Sequence, residues 1–137
     1  MTSRAPSLPG AWAPVAAWCL LVFALSSFPL RIDADVVPGG DKTAHVGEYA
    51  VLGFLLARAL RMTRPSLGRG AVVAGAALLG AFYGASDEFH QSFVPERTAS
   101  LGDLAADAAG ALLGALLLAV LPGGRRSTTA PAPSSRT

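Results

Sequence analysis

Residues 101–121 read LGDLAADAAGALLGALLLAVL, and this stretch decides the fold class. It has the length of roughly 17 to 25 apolar residues that a bilayer-spanning helix needs. Its only charges, Asp103 and Asp107, fall in the opening turns. Gly110 and Gly114 form a GxxxG motif, which is typical of helices that approach each other closely in lipid. The motif indicates tight packing, either inside a bundle or against a second copy of the chain as a homo-oligomer.

Three other apolar runs have the length of a membrane span. They are Ala11–Leu30, Thr43–Leu60 and Gly70–Ser86. The second is the least apolar, because His45 and Glu48 fall in its first turns and Arg58 in its last. The first is longer than the core of a signal peptide, roughly 7 to 15 residues, so we expect it to be retained. The four runs predict an all-α fold, an integral membrane bundle of four transmembrane helices.

The composition excludes several classes of protein. The 137 residues suit one domain, and 52% hydrophobic residues with a mean hydropathy of +0.47 are too apolar for a soluble protein. The pI near 9.2 is compatible with nucleic-acid binding, but the arginines cluster in short loops beside apolar runs. We therefore expect the lipid bilayer as a partner and no nucleic acid. The single Cys19 excludes an intramolecular disulfide and a CxxC metal site.

The distribution of Lys and Arg predicts the orientation, because the cytoplasmic loops of membrane proteins are rich in both. With the N-terminus in the cytoplasm, Arg4, Arg58, Arg61, Arg64, Arg69, Arg125, Arg126 and Arg136 are inside, and Arg31, Lys42 and Arg97 are outside. The opposite topology would reverse this bias. We therefore expect a cytoplasmic N-terminus over residues 1–10, a transmembrane domain over 11–121 and a disordered cytoplasmic tail over 122–137, which is rich in Pro, Ser and Thr.

Acidic residues are segregated along the chain. All nine lie in two stretches, residues 33–48 and 87–107, and both histidines lie there too. Residues 49–86 contain arginines and no acid. In the predicted topology the two acidic stretches meet at the external face, so whatever the protein binds or converts is expected to be bound there.

The external ends of the second, third and fourth runs provide the candidate site. Its residues are Asp41, Lys42, His45, Glu48, Tyr49, Asp87, Glu88, His90, Gln91, Arg97, Asp103 and Asp107. An ionised side chain inside a membrane costs at least about 2.5 kcal/mol unless it is partnered, so such residues indicate a functional site. A purely structural network of ion pairs is the alternative. Lys42 and Arg97 are expected to be buried among the carboxylates, where they either pair with them or bind an anionic ligand.

Three kinds of chemistry are compatible with these residues. Glu48, Asp87 and His90 are candidate catalytic residues for acid–base catalysis, with no GxSxG motif and no Cys/His pair to indicate a nucleophile. His45 with Glu48, and Asp87 with His90, are pairs at i and i+3 that suit a divalent metal such as Zn, Mn or Fe. A metal-dependent membrane enzyme is therefore an alternative to a binding protein. A small oligomeric channel or transporter is a further alternative.

The polar motifs resemble those of a known family. DK-x-x-H-x-x-x-Y-x-x-L-G-F-L from Asp41, DE-F-H-Q-x-F-V-P-x-R from Asp87 and D-x-x-x-D-x-x-G-x-x-x-G from Asp103 are similar to the VanZ-like family of bacterial membrane proteins. The resemblance implies a multi-pass protein of the bacterial cytoplasmic membrane that acts on a lipid-linked cell-envelope precursor or a lipoglycopeptide, with an association with teicoplanin resistance. The chain departs from the expected pattern at Asp107, where asparagine is expected, and at Glu96, where glycine is expected.

Overall fold

A computed structural model describes residues 7–28 and 40–121, and these residues form four helices. The helices are α1 Leu8–Ser26, α2 Asp41–Thr63, α3 Arg69–Gln91 and α4 Leu101–Val120. Each predicted run overlaps one helix, although the run Ala11–Leu30 starts later than α1 and extends past its end at Ser26. The described residues contain no strand, so the all-α prediction is confirmed. The predictions for residues 1–6, for Arg31 and for the tail after residue 121 lie outside the described residues.

Of the described helices, α1, α3 and α4 are long and apolar enough to cross a membrane. Helix α2 has 23 residues, enough for a span, but its composition is more polar because of the charges at both ends. It is also the inner helix, since it packs against α1, α3 and α4. Its middle is buried at Tyr49, Leu52, Leu56, Ala57 and Ala59. An inner helix contacts protein rather than lipid, so it needs less apolar surface than the other three.

Small residues hold α4 against its neighbours. A Cβ atom added at Gly110 would lie 3.0 Å from the Cα atom of Val46, and one added at Gly114 would meet the backbone of Ala50. Both glycines of the GxxxG motif therefore pack against α2 of the same chain, which is the bundle alternative of the two considered above. On α3, a Cβ at Gly80 would collide with the Cβ of Ala111.

Large apolar side chains lie mainly on the outside of the bundle. The most exposed include Leu20, Leu78, Phe82, Phe89, Phe93 and Val120. The interior is built largely from alanine, glycine and a few larger residues. In water this distribution would leave the apolar side chains in contact with solvent, whereas in lipid they contact acyl chains, and tight backbone packing holds the helices together. The packing therefore supports a membrane protein, as the hydropathy does.

Candidate functional site

The polar site lies at one end of the bundle, where the C-terminal ends of α1 and α3 meet the N-terminal ends of α2 and α4. The helix bounds place Arg58, Arg61, Arg64 and Arg69 at the opposite end. A pocket of about 170 Å³ at that end is lined by Arg61, Arg69 and apolar residues, and it contains none of the candidate site residues. The charge segregation seen in the sequence is thus a separation between the two ends of the structure.

His45 and Asp107 form a buried pair between α2 and α4. The Nδ1 atom of His45 lies 2.8 Å from Oδ1 of Asp107, and Asp107 is fully buried. Gly84 on α3 makes room for this carboxylate, because a Cβ there would lie 2.9 Å from Asp107 Oδ2. His45 donates its Nδ1 hydrogen to the carboxylate in this arrangement. The pair therefore connects α2 with α4 directly beneath a glycine of α3.

Glu88 connects α3 with the start of α4. Its side chain is buried, and Oε2 accepts a 2.6 Å hydrogen bond from the backbone N–H of Ser100. Ser100 is the N-cap of α4, where its hydroxyl accepts from the N–H groups of Gly102 and Asp103. One carboxylate oxygen thus fixes the entry to α4.

Three polar atoms near these groups have no hydrogen-bond partner among the described residues. They are the hydroxyl of Tyr49, Oε1 of Glu88 and Oδ2 of Asp107, and all three atoms are buried. Ligand atoms of His45, Glu88 and Asp107 lie within 4.8 Å of one another. A second group, with ligand atoms equally close, consists of Asp41, His45 and Asp103.

The predicted metal ligands are divided in the structure. Asp87 accepts hydrogen bonds from Ser26 Oγ at 2.6 Å and from Gln91 Nε2 at 2.9 Å, so both of its oxygens have partners. The Nε2 atom of His90 lies 3.1 Å from Ser27 Oγ. Within the described part of the chain, the acidic residues with ligand atoms close to His45 are Glu88 and Asp107 on one side and Asp41 and Asp103 on the other, rather than Asp87.

Ser26 and Ser27 are site residues that the sequence analysis missed. Through them Asp87 and His90 connect α3 with α1, and His90 also stacks on Phe23 with ring centroids 4.5 Å apart. The two serines are the polar end of an otherwise apolar run. Their position at that end could have indicated that α1 also contributes to the site.

Among the three candidate catalytic residues, Glu48 has the most available carboxylate. It is half-buried, and within residues 7–28 and 40–121 its side chain forms no hydrogen bond. Its backbone carbonyl accepts from Trp18 Nε1 at 2.9 Å, which fixes α2 against α1. By contrast, Asp87 and His90 form hydrogen bonds with serines of α1 and so connect α3 with α1.

Among the described residues, the two cations predicted to lie at the external face differ from each other. Arg97 was expected to be buried, and its side chain is only 11% exposed, 3.6 Å from Asp41 Oδ2 and 3.3 Å from the carbonyl oxygen of Phe28. Lys42 was also expected to be buried, and this was wrong, because its side chain is 61% exposed. Lys42 is the second residue of α2, and its side chain extends across the end of the bundle. Its Nζ atom lies 3.0 Å from Oδ1 of Asp103.

The contact with Asp103 stabilises the positive charge of Lys42. The hydrogen bond to the Asp103 carboxylate, together with its negative charge, raises the pKa of Lys42 above its usual value. The ammonium is therefore charged at any physiological pH. It has two further hydrogens available for a ligand, since an ammonium group has three donors.

A tight turn places Arg97. The N–H of Arg97 donates to the carbonyl of Val94 at 3.1 Å, Pro95 follows Val94, and Glu96 has a φ of 65°. Proline at the second position and a positive φ at the third define a type II turn, where glycine is favoured at the third position. This is the position where the family resemblance leads one to expect glycine instead of Glu96.

An apolar groove runs between α1 and α3, which contact each other at few positions. Its volume is about 280 Å³. It is lined by Trp12, Cys19, Leu52, Leu56, Leu79, Phe82, Tyr83 and Ser86. Ser86 precedes Asp87 in the chain, so the groove extends toward the polar end. Tyr83 donates its hydroxyl hydrogen to the carbonyl of Cys19 at 2.6 Å across the groove, which leaves the wall without a free polar group at that point.

The comparisons with known proteins agree with the motifs. The family model VanZ/LLP1 matches residues 14–122, which is most of the chain. No curated protein and no solved structure matches the chain. The matched region begins within α1 and ends just after α4, so it includes the whole polar end described above.

Proposed function

Because this chain belongs to the VanZ/LLP1 family, we propose that it is a multi-pass protein of the bacterial cytoplasmic membrane that binds a lipid-linked cell-envelope precursor at its external face. The observation that carries the proposal is the apolar groove between α1 and α3, which extends toward the polar end of the bundle. A ligand with an apolar chain and a charged headgroup suits such a surface, since each part meets matching chemistry.

The apolar part of the ligand would occupy the groove. On α3, Leu79, Phe82, Tyr83 and Ser86 are spaced at i, i+3, i+4 and i+7, which places them along one helix face that leads to Asp87. A prenyl chain in contact with this face would end at the depth of the polar residues. Among the helix pairs that touch, α1 and α3 are the least closely packed, and a lipid would enter between them.

The charged headgroup would be bound by Lys42 and Arg97. Lys42 is exposed and keeps two free hydrogens, and Arg97 lies at the end of α1, where its Nε donates to Phe28. Guanidinium and ammonium groups bind phosphate through charge-assisted hydrogen bonds, which are about twice as strong as neutral ones. A diphosphate-linked precursor fits this pair of cations.

The proposal includes four spans with both termini in the cytoplasm. In this orientation α2 crosses the membrane as the inner helix, and the polar end faces outward. Single cysteines at Thr98 and at Ser66, in a Cys19→Ala background, would test this, because both positions are exposed. We expect a membrane-impermeant maleimide to label Thr98→Cys in intact cells and Ser66→Cys only after permeabilisation. The reverse pattern would contradict the orientation.

Binding is tested with a polyprenyl diphosphate added to the protein in nanodiscs. Lys42→Ala and Arg97→Ala are each expected to weaken binding about tenfold, since a hydrogen bond to a charged group contributes roughly 1.5 to 3 kcal/mol. Arg64→Ala, at the opposite end, is the matched control and should bind as the wild type does. Equal affinity of all three variants would contradict the headgroup proposal. Binding of teicoplanin to the same variants tests whether the ligand is a lipoglycopeptide, and hence whether the protein contributes to resistance.

A further inference from the structure

We infer that His45, Glu88 and Asp107 form a binding site for one divalent transition-metal cation. The inference is independent of the headgroup proposal, because it concerns buried side chains rather than the exposed Lys42. Three helices supply the ligands: α2 supplies His45, α3 supplies Glu88 and α4 supplies Asp107. The three residues have ligand atoms within 4.8 Å of one another.

Two buried carboxylate oxygens in this cluster lack a hydrogen-bond partner among the residues that the structure describes. Glu88 Oε1 and Asp107 Oδ2 are buried and accept no hydrogen bond from any described residue, although the other oxygen of each carboxylate does. A buried polar group without a partner costs about 1 to 3 kcal/mol, and more when it is charged. Two such oxygens belong to the same cluster, so a single bound cation would satisfy both.

The negative charge of the buried cluster also favours a bound cation. Two carboxylates at this separation in a buried site repel each other unless a cation or a proton is shared between them. Lys42 and Arg97 contact Asp103 and Asp41 instead, so the positive charge has to come from a bound cation or from a proton on His45 or on a carboxylate. A neutral imidazole with two carboxylates has a charge of −2, which a divalent cation neutralises.

The ligand atoms of the three residues are of the kinds that bind transition metals. An imidazole nitrogen together with carboxylate oxygens suits Zn or Mn among the divalent metals. Tetrahedral bonds of about 2.0 to 2.2 Å to one zinc ion place its ligand atoms about 3.3 to 3.6 Å apart. The ligand atoms of the three residues lie up to 4.8 Å apart, so binding requires side-chain shifts of up to about 1 Å.

The neighbouring group of Asp41, His45 and Asp103 is the weaker candidate. Asp103 accepts from Lys42 at 3.0 Å, and Asp41 is 42% exposed and lies beside Arg97. A metal there would have to displace two existing contacts. At Glu88 and Asp107 it would occupy oxygens that have no partner. The buried group is thus the one that gains most from a cation.

The test is metal loading of the purified full chain, stripped with a chelator and then dialysed against Zn²⁺ or Mn²⁺ without any prenyl diphosphate. We expect about one ion per chain by mass spectrometry, and a thermal unfolding midpoint that rises with metal concentration because the ion binds only the folded state. Glu88→Gln, which keeps the shape and the acceptor for Ser100, should weaken metal binding at least tenfold, as even residues behind metal ligands typically have effects of this size.

Asp87→Asn is the matched control, since Asp87 is equally buried at the same end but both of its oxygens have partners. It should load as the wild type does. A wild-type chain without stoichiometric metal would overturn the inference and leave a shared proton as the way in which the carboxylates are neutralised. Undiminished loading of Glu88→Gln, or equal loss in Asp87→Asn, would also overturn it. A wild-type chain that loads metal but binds no polyprenyl diphosphate would contradict only the headgroup proposal.

Discussion

Gly114→Ala is expected to separate α4 from α2 and to destabilise the bundle by about 3 kcal/mol or more. The added Cβ would lie 2.7 Å from the carbonyl carbon of Ala50 and 2.8 Å from the backbone nitrogen of Phe54. Overpacking typically costs about 1 to 3 kcal/mol when side chains can move aside. Here the atoms are backbone in the middle of a helix, so relief requires the two helices to move apart, which places the effect at or above the upper end of that range.

The measurement is thermal unfolding in detergent, followed by the loss of helical circular dichroism. Gly47→Ala is the matched control, because it makes the same change on α2 at an exposed position with no atom within 4 Å of the new Cβ. Alanine is favoured over glycine inside a helix by roughly 0.5 to 1 kcal/mol, so this control should unfold at the wild-type temperature or slightly above it. Unfolding of both variants at the same temperature would show that the α2–α4 contact is not as close as described.

The four helices were predictable because each one is encoded by a continuous apolar run. The pattern gave α4 to within one residue, from Leu101 to Val120. For α2 and α3 it placed the ends several residues too early, since the charged residues Arg61 and Asp87 were taken as boundaries. In the structure the helices continue through these residues, because their side chains find partners or water at the bundle ends.

The location of the site was also predictable, since acids in two stretches of a four-helix chain can meet only at one end. Which side chains of different helices contact each other was not predictable from the sequence. Sequence spacing relates residues on one helix, such as Asp103 and Asp107, whereas partners such as His45 and Asp107 depend on how α2 and α4 are rotated about their axes. That rotation is determined by Gly110, Gly114 and Gly84, whose neighbours only the folded chain reveals. The burial of Lys42 was predicted wrongly for a similar reason, since a long side chain at the start of a helix can reach over the end of the bundle.

Asp107→Ala is expected to cost roughly 3 to 5 kcal/mol, the usual effect of removing one member of a buried pair. The substitution removes the partner of His45 Nδ1 and leaves a void beneath Gly84. Asp107→Asn should cost far less, because the amide oxygen still accepts from His45 and the shape is preserved. Asparagine is also the residue that the family resemblance leads one to expect here. The stability of this region would thus depend on the hydrogen bond and the packing at this position more than on the negative charge.

The experiment is unfolding of the two variants in the presence of a chelator, so that any bound metal contributes nothing. His45→Ala, alone and combined with Asp107→Ala, completes a double-mutant cycle, and we expect the double variant to be little worse than either single one, because the partners are lost together. Asp103→Ala serves as the comparison, since its partner Lys42 is largely exposed and should return to water at little cost. Fully additive effects of His45→Ala and Asp107→Ala would show that the two side chains do not stabilise the bundle as a pair. An Asp107→Asn variant as unstable as Asp107→Ala would instead show that the negative charge itself is required.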